Sequence, residues 1–162
     1  MENEQADTNG VIVKIMGYDV ILSEIDVEKV LEKKWSKKEG RKDRVYFLCK
    51  TPERRSLYLH RFIMECPANM QVDHINMNTL DNRRENLRIC TSAENSRNKG
   101  KCKRNKSGFK GVDWQKQLKK WRAQIQYNYK TIHLGLFSSP ELAHKAYCEA
   151  AVKYYGEFAR FE

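Results

Sequence analysis

The chain has 162 residues, with 31 Lys and Arg against 21 Asp and Glu and a formal charge of +10. That balance favours a polyanionic partner held by salt-sensitive contacts. No apolar run approaches membrane-spanning length, so no membrane partner is expected. The five cysteines (Cys49, Cys66, Cys90, Cys102 and Cys148) form no Cys-x-x-Cys pair, which argues against a structural zinc. Their odd number, without a signal peptide, predicts reduced thiols and a cytoplasmic setting, in a bacterium or a phage-infected host.

The charge is uneven. Residues 101–162 carry thirteen basic and five acidic side chains, a net of +8, which leaves +2 for the first hundred. Residues 1–58 read as an N-terminal α/β segment without visible chemistry. The first ten are polar and expected to be disordered. Val11-Ile-Val-Lys-Ile15 and Tyr18-Asp-Val-Ile-Leu22 predict strands, and residues 24–35 a short helix. Val45-Tyr-Phe-Leu-Cys49 and Ser56-Leu-Tyr-Leu59 could complete a small sheet.

Residues 59–100 hold the most informative stretch. Residues 70–75 could form a strand, and the Asn-rich residues 76–84 read as a loop. Leu87 and Ile89 alternate with Arg88 and Cys90 as in a half-buried strand. Thr91-Ser-Ala-Glu94 has the form of a capping box, so a helix is expected there with Asn95 in its first turn. A hairpin followed by a helix could bring Asp73, His74, Asn86 and Asn95 to one metal ion. One carboxylate and one amide oxygen make a hard, open site suited to magnesium. A neutral imidazole beside it can take a proton from water. The cluster reads as metal-assisted phosphodiester hydrolysis.

This arrangement resembles the HNH endonucleases, with their ββα-metal core, and within them the subgroup of phage and intron-encoded homing enzymes. The resemblance implies that Asp73 is a metal ligand, that His74 is the general base, and that Asn86 braces the hairpin. Asn95 stands where many members have a second His, so Asp73 and Asn95 would hold Mg2+ or Mn2+. Leu59-His60-Arg61 and Asn98 also fit the subgroup.

Residues 97–110 carry seven basic side chains and no acid (Arg97, Lys103, Arg104 and Lys110 among them), and residues 101–107 are read as a basic linker that gains order along phosphates. Residues 108–162 form a further unit. Three alternating segments, Phe109 to Trp114, Lys120 to Gln126 and Thr131 to Phe137, predict an antiparallel sheet with turns at 115–119 and 128–130. A helix over 140–155 follows, with Ser139 as cap, Pro140 in its first turn and Gly156 at its end. Its expected apolar stripe is Leu142, Ala143, Ala146, Tyr147, Ala150, Ala151 and Tyr154, which would cover one face of the sheet.

Ser107-Gly-Phe-Lys-Gly-Val112, Lys120-Trp-Arg-Ala-Gln-Ile125, His133-Leu-Gly-Leu-Phe137 and the Ala-rich helix resemble the plant APETALA, or ethylene-response-factor (ERF), DNA-binding domain. The resemblance implies a sheet laid in the DNA major groove, with Lys110, Asp113, Gln124, Gln126, Thr131 and His133 facing the duplex. Trp114 is a further candidate contact, with packing as its other reading. Asp113 departs from the plant pattern, since a carboxylate repels phosphate and could only accept from a cytosine amine.

The expected class is therefore α+β: a small N-terminal sheet leading into a ββα-metal core, then a three-stranded antiparallel sheet packed on one helix. The expected function is a metal-dependent endonuclease of homing or nicking type, addressed to double-stranded DNA by its C-terminal sheet. The alternative is a DNA-binding regulator with an inactive core. No heptad repeat or long apolar helix offers a dimer seam, which predicts a monomer with no obligate protein partner.

Overall fold

The computed structural model describes residues 10–40, 44–98, 100 and 105–161. The first nine residues, and Lys103 and Arg104 of the linker, lie outside that set. The chain divides into two compact units, Met1–Ser92 and Ala93–Glu162.

The first unit is mixed α and β. Strands β1 (Val11–Ile15) and β2 (Tyr18–Leu22) form a hairpin, and β2 also pairs in parallel with the two-residue β7 (Asp81–Asn82). A second antiparallel sheet has the order β3 (Ser36–Glu39), β4 (Val45–Lys50), β5 (Ser56–Tyr58). The third is the hairpin of β6 (Gln71–His74) and β8 (Leu87–Cys90). Helices α1 (Glu24–Leu31) and α2 (Leu59–Ile63) pack among them.

Ile15, Val20, Leu22, Val30, Phe47, Leu59, Ile63, Val72 and Leu87 make one core. Each such side chain, fully buried, contributes roughly 1.5–3 kcal/mol before the entropy of ordering it is subtracted. Ion pairs to a buried carboxylate fasten this core to the chain before β8. Asp26, fully buried on α1, accepts from Arg84 Nε and Nη2 at 2.8 and 2.9 Å and from Lys29 Nζ at 2.8 Å.

Three elements depart from the sequence expectation. Helix α1 ends at Leu31, and the Trp35 indole N–H donates to the Val30 carbonyl at 2.7 Å, satisfying one of the carbonyls left open at the helix end. Strand β3, Ser-Lys-Lys-Glu, has no apolar alternation and is held by its pairing with β4. Strand β7 lies inside the stretch expected to be loop.

The second unit contains the antiparallel sheet β9 (Val112–Gln115), β10 (Lys120–Tyr127), β11 (Lys130–Phe137), with β10 central. Helix α4 (Pro140–Tyr155) packs on it, and the Ser139 hydroxyl accepts from the Leu142 N–H at 3.3 Å. The buried side of α4 is Ala143, Tyr147, Ala150, Ala151 and Tyr155, whereas Leu142 is half exposed and so leaves the expected stripe. Gly111 permits the close approach of helix and sheet. Its φ is +74°, and a Cβ there would fall 2.1 Å from the Tyr147 ring and 2.8 Å from the Gln124 carbonyl. Helix α3 (Ser92–Arg97) begins at the end of the first unit and runs into the second.

Candidate active site and nucleic-acid interface

In the β6–β8 hairpin Asp73 lies opposite Arg88, and His74 opposite Leu87. Side chains directly opposite share a face, so Asp73 Oδ2 accepts from Arg88 Nη2 and Nε at 2.9 and 3.2 Å. His74, one residue along, turns to the core face beside Leu87 and is buried.

His74 Nε2 is 3.3 Å from Asn82 Oδ1, and the Asn82 amide nitrogen donates to the Thr79 carbonyl at 3.1 Å. That second bond fixes the amide orientation, so the contact with His74 places the ring proton on Nε2. The proton-accepting lone pair is then that of Nδ1. Burial pushes the His74 pKa below the ordinary imidazole value, and nearby Arg44 adds to this. Asn82, Asp73 and Asp81 oppose the shift without cancelling it. The ring is therefore neutral near pH 7, the state a general base requires.

His60 extends the cluster. Its ring lies 5.1 Å from that of His74, edge to face, and stacks on Tyr58 at 5.3 Å. Burial, with smaller contributions from His74 and Arg61, pushes its pKa down to about 3.

Asn86 organises the loop that supports His74. Its amide oxygen accepts from the Asn76 N–H at 3.0 Å, and its amide nitrogen donates to the Asp81 carbonyl at 2.7 Å. Its own carbonyl accepts from the Ile75 N–H at 2.9 Å. Asp81 in turn receives Arg83 Nε and Nη2, each at 2.9 Å, and the Asn76 amide at 2.8 Å. Burial alone would raise the Asp81 pKa, but these donors outweigh it and hold the carboxyl below its usual range. Asp81 and Asn82 were not singled out as site residues from the sequence. The only signal was Asp81-Asn-Arg83 within a loop, which reads equally well as a turn.

Asn95 sits on α3, part-buried, among residues of the second unit. Among the described residues no group of three or more His, Cys, Asp or Glu side chains is placed to hold one ion. A cation at Asp73 would thus have one charged protein ligand and would compete with Arg88 for it. Its other positions would go to neutral oxygens, phosphate and water. That donor set fits a hard, largely hydrated ion such as Mg2+ and is a poor one for zinc.

The C-terminal sheet sorts its candidates by pleat. Trp121 pairs with Trp114, Arg122 with Asp113, and Ala123 with Val112. Val112 and Ala123 are buried toward α4, so Asp113 and Arg122 lie on the opposite face, where Gln124, Gln126, Thr131 and His133 also fall. Arg122 was missed in the sequence. It meets Asp113 through Nε and Nη2, both at 3.1 Å, which neutralises the carboxylate that departs from the plant pattern. Trp114 sits on the helix side of β9, its ring 5.0 Å from Trp121, although it remains half exposed. The packing reading describes it better than a place on the open face.

Two other candidates have partners within their own unit. The Lys110 ammonium donates to the Arg97 carbonyl at 2.8 Å, and burial, together with the charge of Arg160, pushes its pKa down to about 8. The Arg97 guanidinium lies over the rings of Tyr127 and Tyr155, 5.2 and 5.4 Å from their centroids.

Comparison with known proteins finds two separate segments of similarity, the first of which runs across the boundary at Ser92. Residues 58–97 match the HNH endonuclease family, and residues 107–157 match the AP2 domain. Protein 3.8 of Escherichia phage T7 is 36% identical over 70 residues, covering 40% of this chain and 58% of the relative. An uncharacterized HNH endonuclease of Acanthamoeba polyphaga mimivirus is 32% identical over 109 residues, covering 64% of this chain and 56% of the relative. The chain thus spans a little over half the length of each. No solved structure matches it significantly. Among the described residues no helix is long and apolar enough to cross a membrane. These matches, in this order, show a segment similar to the HNH endonucleases followed by a segment similar to the AP2/ERF-type domain.

Proposed function

We propose that the protein is a DNA endonuclease that hydrolyses phosphodiester bonds with the help of one divalent ion. The observation that carries this reading is His74: a buried, neutral imidazole whose ring proton is held by Asn82, on the same strand as the carboxylate of Asp73. In this reading His74 Nδ1 takes the proton of the attacking water. Asn86 is a positioning residue that keeps the loop 75–81 closed beneath the ring. Asp73 would hold Mg2+ or Mn2+, with Asn95 as second protein ligand on sequence grounds. When bound, the ion neutralises the scissile phosphate and stabilises the leaving oxygen.

The open face of the C-terminal sheet supplies the address. Gln124, Gln126, Thr131 and His133 offer donors and acceptors to base edges, beside the Arg122–Asp113 pair, in the strongly basic last third of the chain. The setting that fits best is a homing-type or nicking enzyme in a phage-infected cell, acting as a monomer on an asymmetric site.

The test is supercoiled plasmid with the purified chain and Mg2+. A relaxed circle builds up first, and His74→Ala lowers the rate by at least about 10²-fold while duplex binding persists. The ion pair of Asp73 with Arg88 favours a second reading, a DNA-binding regulator with a silent core. Binding without cutting in either metal, by a protein with the native melting profile, would establish that reading instead.

A further inference from the structure

The first unit has a cationic surface that its overall charge conceals. Residues 33–55 hold ten basic and three acidic side chains, a net of +7, although the whole first hundred carries only +2. Three of those cations, Lys37, Lys38 and Lys50, lie on the sheet β3–β4–β5. The registers Lys38 with Tyr46, Leu48 with Tyr58 and Lys50 with Ser56 place all six residues on one face, opposite the buried Phe47 and Cys49. None of the six is buried, and Lys38 and Lys50 are exposed.

The cations on this face differ from others in the unit. Lys14, Lys29 and Lys37 each lie 2.8 Å from a carboxylate. Among the described residues Lys38, Lys50 and Arg44 make no ion pair; Lys38 Nζ instead donates to the Tyr58 hydroxyl at 2.8 Å and Lys50 Nζ to the Ser56 hydroxyl at 3.0 Å. Both neutral partners leave the full positive charge available to an anion. The face also leads to the candidate base. Tyr46 and Tyr58 meet edge to face at 5.8 Å, Tyr58 stacks on His60, and His60 touches His74. Arg44 precedes β4, two residues before Tyr46, and its carbonyl accepts from the Gly40 N–H at 2.7 Å, so the ladder places it at the edge of the same face.

We propose that the face formed by Lys38, Tyr46, Lys50 and Tyr58, with Arg44 at its edge, is a second DNA-binding surface that grips the phosphodiester backbone of the duplex next to the candidate cleavage site. This rests on the DNA-directed reading above and adds a surface to it. Three cations that have no carboxylate partner among the described residues, spread over one face of a sheet and its edge, suit a row of phosphates and read no sequence. The Tyr58 ring lies against the Lys38 ammonium, its centroid 5.3 Å away, and helps to hold that cation over the face.

The experiment is the salt dependence of binding of the full chain to a labelled duplex of arbitrary sequence, in EDTA so that nothing is cut. Each lost phosphate contact lowers the slope of log affinity against log salt by about 0.9. The variant Lys38→Gln/Arg44→Gln/Lys50→Gln is expected to lose about 2–3 from that slope. Lys38→Arg/Arg44→Lys/Lys50→Arg, which restores charge, is expected to recover it. Lys14→Gln, on a lysine already paired with Asp19, leaves it unchanged.

An unchanged slope in the triple Gln variant, with a native melting profile, overturns the proposal, as does a wild-type chain that binds no duplex. A slope that falls in the Gln variant but does not recover in the charge-restoring one also overturns it. The nuclease reading fails separately: a wild-type chain that binds with the predicted slopes yet cuts nothing in Mg2+ or Mn2+ refutes catalysis and retains this surface.

Discussion

Replacing Asn86 by Ala removes two hydrogen bonds that close the histidine loop, one accepted from the Asn76 N–H and one donated to the Asp81 carbonyl. The two losses are unequal. Asn76 is exposed, so water can rejoin its N–H, whereas Asp81 is 2% exposed and its carbonyl stays buried. An unmet buried backbone group costs about 1–3 kcal/mol, and a rehydrated one about 1 kcal/mol or less, which together give about 2–4 kcal/mol. For a unit the size of Met1–Ser92 each kcal/mol moves the midpoint by about 4–8 °C, so a fall on the order of 10–20 °C is expected. Calorimetry reads this directly, since the second unit should keep its own transition. Cleavage measured below the lowered midpoint should still fall, because the open loop no longer holds Asn82 against His74. Asn86→Asp sharpens the test. It keeps an acceptor for Asn76 but turns an anion toward the Asp81 carbonyl, so its penalty should ease as pH falls through the carboxylate range and the group becomes a donor. An Asn86→Ala protein that melted within about 2 °C of wild type and cut at the wild-type rate would refute the bracing role.

Other perturbations follow from the same geometry. Arg84→Met leaves the buried Asp26 with Lys29 as its remaining cation, and is expected to cost about 1–3 kcal/mol in urea unfolding, less than a fully buried pair because the Arg84 side chain is 44% exposed. Asp26→Asn/Arg84→Met should lose less than Arg84→Met alone. Gly111→Ala drives a Cβ into the Tyr147 ring at positive φ, and should cost roughly 1–3 kcal/mol, read as a lower midpoint of the second unit only. His60, with its pKa pushed down to about 3, is neutral when folded and takes up a proton on unfolding below about pH 6.5. Its contribution to stability is therefore complete above pH 6.5 and is lost as pH falls toward 3, at no more than about 1.4 kcal/mol per pH unit. His60→Phe should flatten that slope, measured by denaturant midpoints across pH 4–7.

What the sequence disclosed followed its periodicity. The hairpin of Val11–Ile15 and Tyr18–Leu22, the sheet of the second unit and the capped α4 all show apolar spacing or a defined terminus, and each formed where that spacing lay. Strand β3 could not be read, because an edge strand of Ser, Lys, Lys and Glu buries nothing and exists through its partner. Strand β7 was hidden for the opposite reason: Asp81 and Asn82 are buried by polar bonds, which leave no hydrophobic pattern. In the site, His74 and Asn86 could be named from spacing, whereas the Asn82 contact depends on a loop that folds back on itself. Lys110 was expected to face the duplex, and only the structure shows its ammonium seated on the Arg97 carbonyl.

The irregularity between Ala123 and Gln124 bears on how this protein can change over generations. There the pairing steps from Ala123 with Gly135 to Gln124 with His133, so Leu134 is passed over and packs against the core. The extra residue puts the two halves of β11 out of step. Because of it, Leu136, His133 and Thr131 come up beside Arg122, Gln124 and Gln126, although the spacing along β11 is odd. Single exchanges at Gln124, Gln126, Thr131 or His133 alter one outward side chain and leave Ala123 and Ile125 in place beneath. Losing the Leu134 codon would restore a plain ladder with every partner kept, His133 and Thr131 still outward and Ile132 still inward, at the cost of the Leu134 contact with the core. A lineage carrying this domain can thus explore new outward chemistry by substitution in small, independent steps, and the bulge marks the one place in the pairing of β10 with β11 where a residue can be lost without turning either half of the strand over.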